Sequence, residues 1–576
     1  MKLRKIYTSA GILLLSLFCI GDAVAKDAKF ETGVSFGSTG ADEPYSSLTD
    51  KDGNYYISGM CRGDVEFAGG ATIKGRGGMD AVIVKYDAEL NFLWARAVGG
   101  SKDDTFERIA VTSAGDIVAV GKISGDVTID GTDQTLSGTQ STDGCIVVYD
   151  KDGNYKSSAQ IKAAGASLCY SVAVDKSDNI FVTGSTVGAT DFGNEKTVTI
   201  EGSNPGTFLA CYNNSLVCQW AIAGSSPVQS YGWAVNFDKE ENILLTGRFG
   251  TTFTITGTDG EALTTAVGSE SSQDTYVAKL SHEGVGQWIT YVTNSNRIDT
   301  RSIDSDSQGN VYIWGHCQSA VTPEGQSPLG FNGNFDSFLI KYSSAGAYLD
   351  GMNLGGSGRD EAKSLFVDAD DNIYVAGNVN GDGSKGGTAV NMNPRGESKD
   401  YTFKGHDGYV AKYNGSTWEL MQLEKTVTPD NANQHEVAWC VTMSPDYNKV
   451  YVTGYFNNGA TVFDGASLTL PFVRDYDIYT VLYSYTLMVK TKTLEPGVAN
   501  EPYYSNIVVD NVEGAVKFEI VSGALPDGIT LSKDGAFAGT PTKNGSYTFT
   551  VKISDDVSSI QKEYTLVIKS GEGCDV

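Results

Sequence analysis

DADDNIYVAG, residues 368–377, begins with acids and turn formers, runs into a short alternating strand and stops on glycine. The same phrase returns as DGNYYISG ending at Gly59, AGDIVAVG at Gly121, SDNIFVTG at Gly184, EENILLTG at Gly247, QGNVYIWG at Gly315 and YNKVYVTG at Gly454. With Gly377 in its place, successive glycines of the series are 62, 63, 63, 68, 62 and 77 residues apart. A period of this regularity marks a repeat architecture, in which each unit buries its apolar faces against its neighbours.

Every unit carries the same parts in the same order. A short apolar strand such as IAVT (109–112) or SVAVD (171–175) precedes a tight turn of Gly, Asn and Asp, and the glycine-ended strand follows. A long polar stretch then leads to DAVIVKYD, DTYVAKLS, DSFLIKYS, DGYVAKYN or DIYTVLYS, and several copies add a strand with Trp94, Trp220 or Trp288. Val, Ile and Tyr alternating between Gly/Asn/Asp turns have the period of two of a strand. Four strands per unit, seven units and no useful helical periodicity predict an all-β chain built on a seven-bladed β-propeller.

Two longer stretches, VDADDNIYVAG followed by DGYVAKYNGSTW, and GGSKDDTFERIAVTSAGDIVAVG, resemble the bacterial seven-bladed β-propeller repeat family over roughly residues 30–486. The resemblance implies the fold and carries no shared catalytic residues. Closure of the ring is expected on separate grounds. The last copy ends at DIYTVLYSY without a fourth strand, while KFETGVSFGSTGADE (29–43) matches NFLWARAVGGSKDD at an offset of 62 residues. A strand at about 30–37 completing the last blade would remove the open edges that otherwise invite aggregation.

From about Leu487 the pattern changes. GALPDGITLSKDGAFAGTPTKNGSYTFTVKISD (523–555) resembles the immunoglobulin-like, cadherin-like domain of bacterial surface proteins, and its short alternating runs between Gly/Pro turns suit two packed antiparallel sheets. The expected organisation is a signal peptide at 1–25, a propeller at 27–486, an Ig-like β-sandwich at 487–570 and a tail at 571–576.

The signal peptide is read from Lys2, Arg4 and Lys5, the apolar run from Ile12 to Ile20, and Ala23-Val24-Ala25. Phe18 before Cys19 argues against lipid attachment there, so cleavage after Ala25 and export to the periplasm, cell surface or medium are expected. No later apolar run has spanning length, so no transmembrane segment is expected. The formal charge of −27 opposes nucleic acid and anionic lipid as partners, and points to cations or neutral ligands. The nine cysteines have neither zinc spacing nor the density of a stapled scaffold; a Cys211–Cys218 bridge and buried free thiols are both open.

Candidate site residues follow from the ring. Counting back from the innermost strands places Asp42, Asp104, Ser167, Ser230, Asp360 and Glu436 at equivalent positions, with the fifth copy's register undetermined. The acids belong to copies six, seven, one and two, which closure makes neighbours, so they are expected to form an acidic arc at the channel mouth. Glu43, Asp103, Glu107 and Glu361 flank it, and Tyr170, Tyr231 and Trp233 lie opposite. Clustered carboxylates could hold calcium, and facing aromatics could stack a sugar. The competing structural reading is that each acid bonds neighbouring backbone N–H groups. The turn acids Asp50, Asp52, Asp150, Asp152, Asp304 and Asp306 lack the Glu of a calcium loop and are read as turn formers.

Enzyme chemistry finds little support. The four histidines, His282, His316, His406 and His435, have no metal spacing, and no nucleophile elbow, P-loop or dinucleotide pattern occurs. The expected function is an exported, non-catalytic binding or scaffold protein. Its ligand, a glycan or a surface protein, would be held by long propeller loops. The alternative is a polysaccharide-acting hydrolase or lyase using carboxylates such as Asp104 and Asp360.

Overall fold

The computed structural model describes residues 28–570, apart from 267–272, 381–387, 404, 428–434, 458–461, 464–474, 486, 490, 492, 511, 513 and 557–558. The expected signal peptide, the tail, Cys19 and Cys574 lie outside the described residues. Strands dominate, and the one helical element among the described residues is a single 3₁₀ turn, Ala68–Gly70. No described helix is long and apolar enough to cross a membrane, which says nothing about strands.

Strand pairing resolves the repeat into seven groups of four antiparallel strands. The first contains Glu43–Thr49, Tyr55–Cys61, Asp80–Tyr86 and Phe92–Gly100, in sequence order from the axis outward. Its second strand is buried at every position, whereas its innermost strand is buried only at Pro44 and Ser46. That contrast explains the sequence signal: a strand covered on both faces reads as a continuous apolar run.

The last group draws its strands from both ends of the repeat. Glu436–Met443, Lys449–Phe456 and Asp477–Ser484 are completed by Lys29–Phe36, with Val34 opposite Thr480 and Phe36 opposite Ile478. The apolar interior is correspondingly divided into seven clusters, each shared by two neighbouring groups. An open row of seven units would have only six such interfaces. The closing cluster packs Phe36, Tyr451, Ile478 and Leu482 against Tyr55, Ile57, Val82 and Val84. Tyr55 stacks on Tyr451 at 4.5 Å, and their neighbourhood is pinned by the 2.6 Å bond between the Tyr55 and Thr453 hydroxyls.

In the second, fourth, fifth and seventh groups the long segments between second and third strands do not stay on their own blade. They fold instead onto the blade before. Ile129 pairs with Val98, Ile255 with Gly224, Pro323 with Val292 and Phe463 with Thr426. Each such piece covers the outer edge of the preceding group, which protects an edge strand and interlocks neighbours.

Beyond the repeat, Gly497–Val498, Ser559–Lys569, Gly545–Ser554 and Lys517–Gly523 form one sheet, and Tyr503–Asn506, Ala536–Gly539 and Ile529–Leu531 another. Phe537, Phe549, Val551, Tyr564 and Leu566 are buried between them, the arrangement of a β-sandwich.

Candidate functional site

The glycine that ends every repeat has a single structural cause. A Cβ at Gly121 would lie 1.9 Å from the Thr105 carbonyl oxygen, at Gly184 1.9 Å from that of Leu168, and at Gly454 1.7 Å from that of Val437. The innermost strand comes this close because its register slips by one residue at the same point in all seven groups. Such a bulge leaves one residue unpaired and re-aims its side chain.

The seven residues so released are Tyr45, Glu107, Tyr170, Trp233, Arg301, Lys363 and Trp439, in ring order. All seven line one cavity of about 530 Å³ of empty space, partly open to solvent, together with Arg108, Ser364 and Cys440. The innermost strands that carry them are Glu43–Thr49, Thr105–Val111, Ser167–Val174, Ser230–Phe237, Ile298–Ser305, Glu361–Val367 and Glu436–Met443.

Aromatic rings form two arcs. Trp439 and Tyr45 lie 5.5 Å apart, and Tyr170 and Trp233 4.4 Å apart, with Tyr231 stacked 5.7 Å from Trp233. Glu107 stands between the arcs on one side, accepting a 2.7 Å bond from the Thr105 hydroxyl, and burial pushes its carboxyl above the usual range. Arg301 and Lys363 stand between them on the other. The Arg301 guanidinium lies 5.3 Å from the Trp233 ring, and Lys363 Nζ 4.1 Å from the Trp439 ring, both within cation–π reach.

This second side is basic. Arg248, Arg297 and Arg301 approach the buried carboxylate of Asp299 at 3.1, 2.6 and 4.0 Å. Lys363 and Arg359 approach Glu361 at 2.8 and 2.6 Å. Five basic side chains thus share two carboxylates. Burial pushes Asp299 up, but His316, 3.6 Å away, and the arginines outweigh it and hold the carboxyl well below the usual range. Burial likewise pushes Glu361 up and is outweighed by Lys363, His316 and Arg359. Trp233 Nε1, Arg108 Nε and Arg301 Nε are buried here without hydrogen-bond partners.

The acids predicted at the channel mouth occupy different ground. Asp42, Asp104, Asp360 and Glu436 are buried. Asp104 accepts the N–H groups of Gly100 at 3.0 Å and Ser124 at 2.7 Å. Asp360 accepts those of Gly356 at 2.5 Å and Asn380 at 3.0 Å. Asp42 accepts from Ser38 and from the Arg62 N–H at 3.0 Å. Burial pushes Asp42 up to about 6 and Asp104 and Asp360 up to about 7. These three acids brace backbone N–H groups and are not among the side chains that line the cavity. Tyr170 and Trp233, expected opposite the acids, do line it, and Tyr231 packs against Trp233.

Sequence reasoning missed Tyr45, Arg301, Lys363 and Trp439 as members of the ring. The signal was present, since each stands one residue beyond the inner-strand partner of the repeat glycine. A bulge, however, leaves no mark in a two-residue periodicity.

Other singled-out residues have local duties. Asp50, Asp150 and Asp306 each accept from backbone N–H groups two and four residues on and from an Asn side chain, closing a turn. Asp304 accepts the Val367 N–H at 2.9 Å. His282 bonds Asp175 at 2.6 Å, and His406 stacks on His435 at 4.0 Å. Among the described residues no group of His, Cys, Asp and Glu is arranged to hold a metal ion. The seven described cysteines, Cys211 and Cys218 included, are free and buried.

Comparison with known proteins agrees with the fold. Residues 480–569 match the family described as "Putative Ig domain", and residues 158–193 match the beta-propeller repeat family. A curated relative, an uncharacterized WD repeat-containing protein of Acanthamoeba polyphaga mimivirus, is 21% identical over 435 residues, 62% of this chain and 31% of the relative. The chain thus spans about a third of that relative's length. Among solved structures, the Dos1 propeller aligns with 79% of this chain and 95% of its own at 8% identity and a TM-score of 0.37. The Pseudomonas aeruginosa periplasmic gluconolactonase aligns with 78% of this chain and 99% of its own at 10% identity and a TM-score of 0.35. A β-propeller with an Ig-like domain is compatible with a binding or scaffold role.

Proposed function

We propose that this chain is an exported, non-catalytic binding protein whose ligand is a glycan seated in the central cavity, with the Ig-like module as spacer or docking unit. The observation that carries the reading is the composition of the bulge ring: four of its seven side chains are aromatic, arranged as the pairs Trp439/Tyr45 and Tyr170/Trp233. Apolar faces flanked by a few fixed polar groups are what a saccharide requires, since a sugar presents C–H faces and hydroxyl edges. The site thereby moves from the long loops to the axis, because those loops are engaged with preceding blades.

Export rests on the residue pattern at 1–25. A polysaccharide-acting enzyme would need an accessible carboxylate pair, whereas Asp104 and Asp360 spend both oxygens on backbone N–H groups. The test is a glycan array followed by calorimetry on the mature chain. Binding without product release, lost in Trp233→Ala and Trp439→Ala, supports the proposal. Product release abolished by Asp104→Asn supports the enzyme, and no binding at all removes both.

A further inference from the structure

The charge around the cavity identifies the class of sugar. We infer that the ring selects an acidic saccharide, one whose carboxylate lies on the Arg301/Lys363 side while its sugar ring packs among the aromatic side chains of the cavity; this rests on the glycan reading above. A chain of formal charge −27 would ordinarily repel such a ligand. The axis is the exception. Arg108, Arg301 and Lys363 line the cavity against the single carboxylate of Glu107, a local excess of two positive charges. A partly enclosed, low-dielectric site focuses that excess on whatever enters it.

Position matters as much as sign. Arg301 and Lys363 are neighbours in the ring, and each is set against an aromatic face, at 5.3 Å from Trp233 and 4.1 Å from Trp439. A pyranose beside either indole would meet a cation at the same point of the ring. Arg301 is the less committed of the two, since its nearest carboxylate oxygen is 4.0 Å away and its Nε lacks a partner. Glu107 lies across the cavity from both cations, so the Arg301/Lys363 side is the one that meets a carboxylate.

The experiment compares α-1,4-linked trigalacturonate, its fully methyl-esterified form and neutral trigalactose by calorimetry with the mature chain at low and high salt. The inference expects trigalacturonate to bind at least about ten-fold more tightly than either neutral probe. The advantage should shrink in high salt. It should also be lost in Arg301→Gln and retained in Arg301→Lys. Equal binding of all three probes overturns the acidic preference and leaves the glycan reading standing. Binding of none of them, when the glycan array has found a neutral ligand, overturns it equally. An array blank for every sugar removes both readings. The wild-type comparison needs no variant to fold.

Discussion

Gly247 faces the Tyr231 carbonyl oxygen so closely that a Cβ there would stand 1.8 Å from it, with the Tyr276 hydroxyl 2.8 Å away. The neighbouring bulge releases Trp233 into the cavity. Gly247→Ala must therefore move backbone. It is expected to destabilise by about 1–3 kcal/mol, as overpacking does, and to weaken ligand binding by displacing Trp233. Urea unfolding and calorimetry of the same variant check both; an unchanged midpoint would show that the inner strand yields freely.

Within the fourth group, Lys279 Nζ lies 2.6 Å from Asp238 Oδ2, and both side chains are almost wholly buried. Lys279→Met leaves the carboxylate with only its turn bonds to Asn242 and Glu240. Removing one partner of such a pair typically costs about 3–5 kcal/mol. The double variant Lys279→Met/Asp238→Asn should recover part of that loss, measured by denaturant unfolding.

Acidity should act through the bracing carboxylates. Asp104 is held at about 7 by burial, against 3.8 for an exposed aspartate. Between those values the native chain keeps a proton that the unfolded chain has released, so this contribution to stability rises as pH falls through the window. His406, pushed down to about 4 by burial and by His435, opposes it, because there the unfolded chain takes up the proton first. The comparison is therefore made with Asp104→Asn. Wild type should exceed the variant in unfolding free energy by more at pH 5 than at pH 8.

Deleting residues 28–37 exposes the outer edge of Asp477–Ser484 and strips Phe36 from the closing cluster. The shortened chain should unfold at lower denaturant and self-associate through the bared edge. Light scattering of the refolded protein tests this, and a monomer of wild-type stability would contradict it.

What the sequence determined by itself was the repeat. Period-two runs, Gly/Asn/Asp turns and the 62- to 77-residue spacing of Gly59 through Gly454 require only local chemistry, and they specified the β-propeller without reference to any contact. The change of pattern near Leu487 likewise declared the second module. Tertiary structure decided the site. Asp42, Asp104 and Asp360 looked like ligands until the surrounding backbone N–H groups claimed their oxygens. Tyr45, Arg301, Lys363 and Trp439 looked like ordinary strand residues until a one-residue slip turned them to the axis. Composition sets what a strand can bury; which side chain meets its six counterparts at the centre depends on bulge register and ring closure, and both arise from pairing between residues distant in the chain.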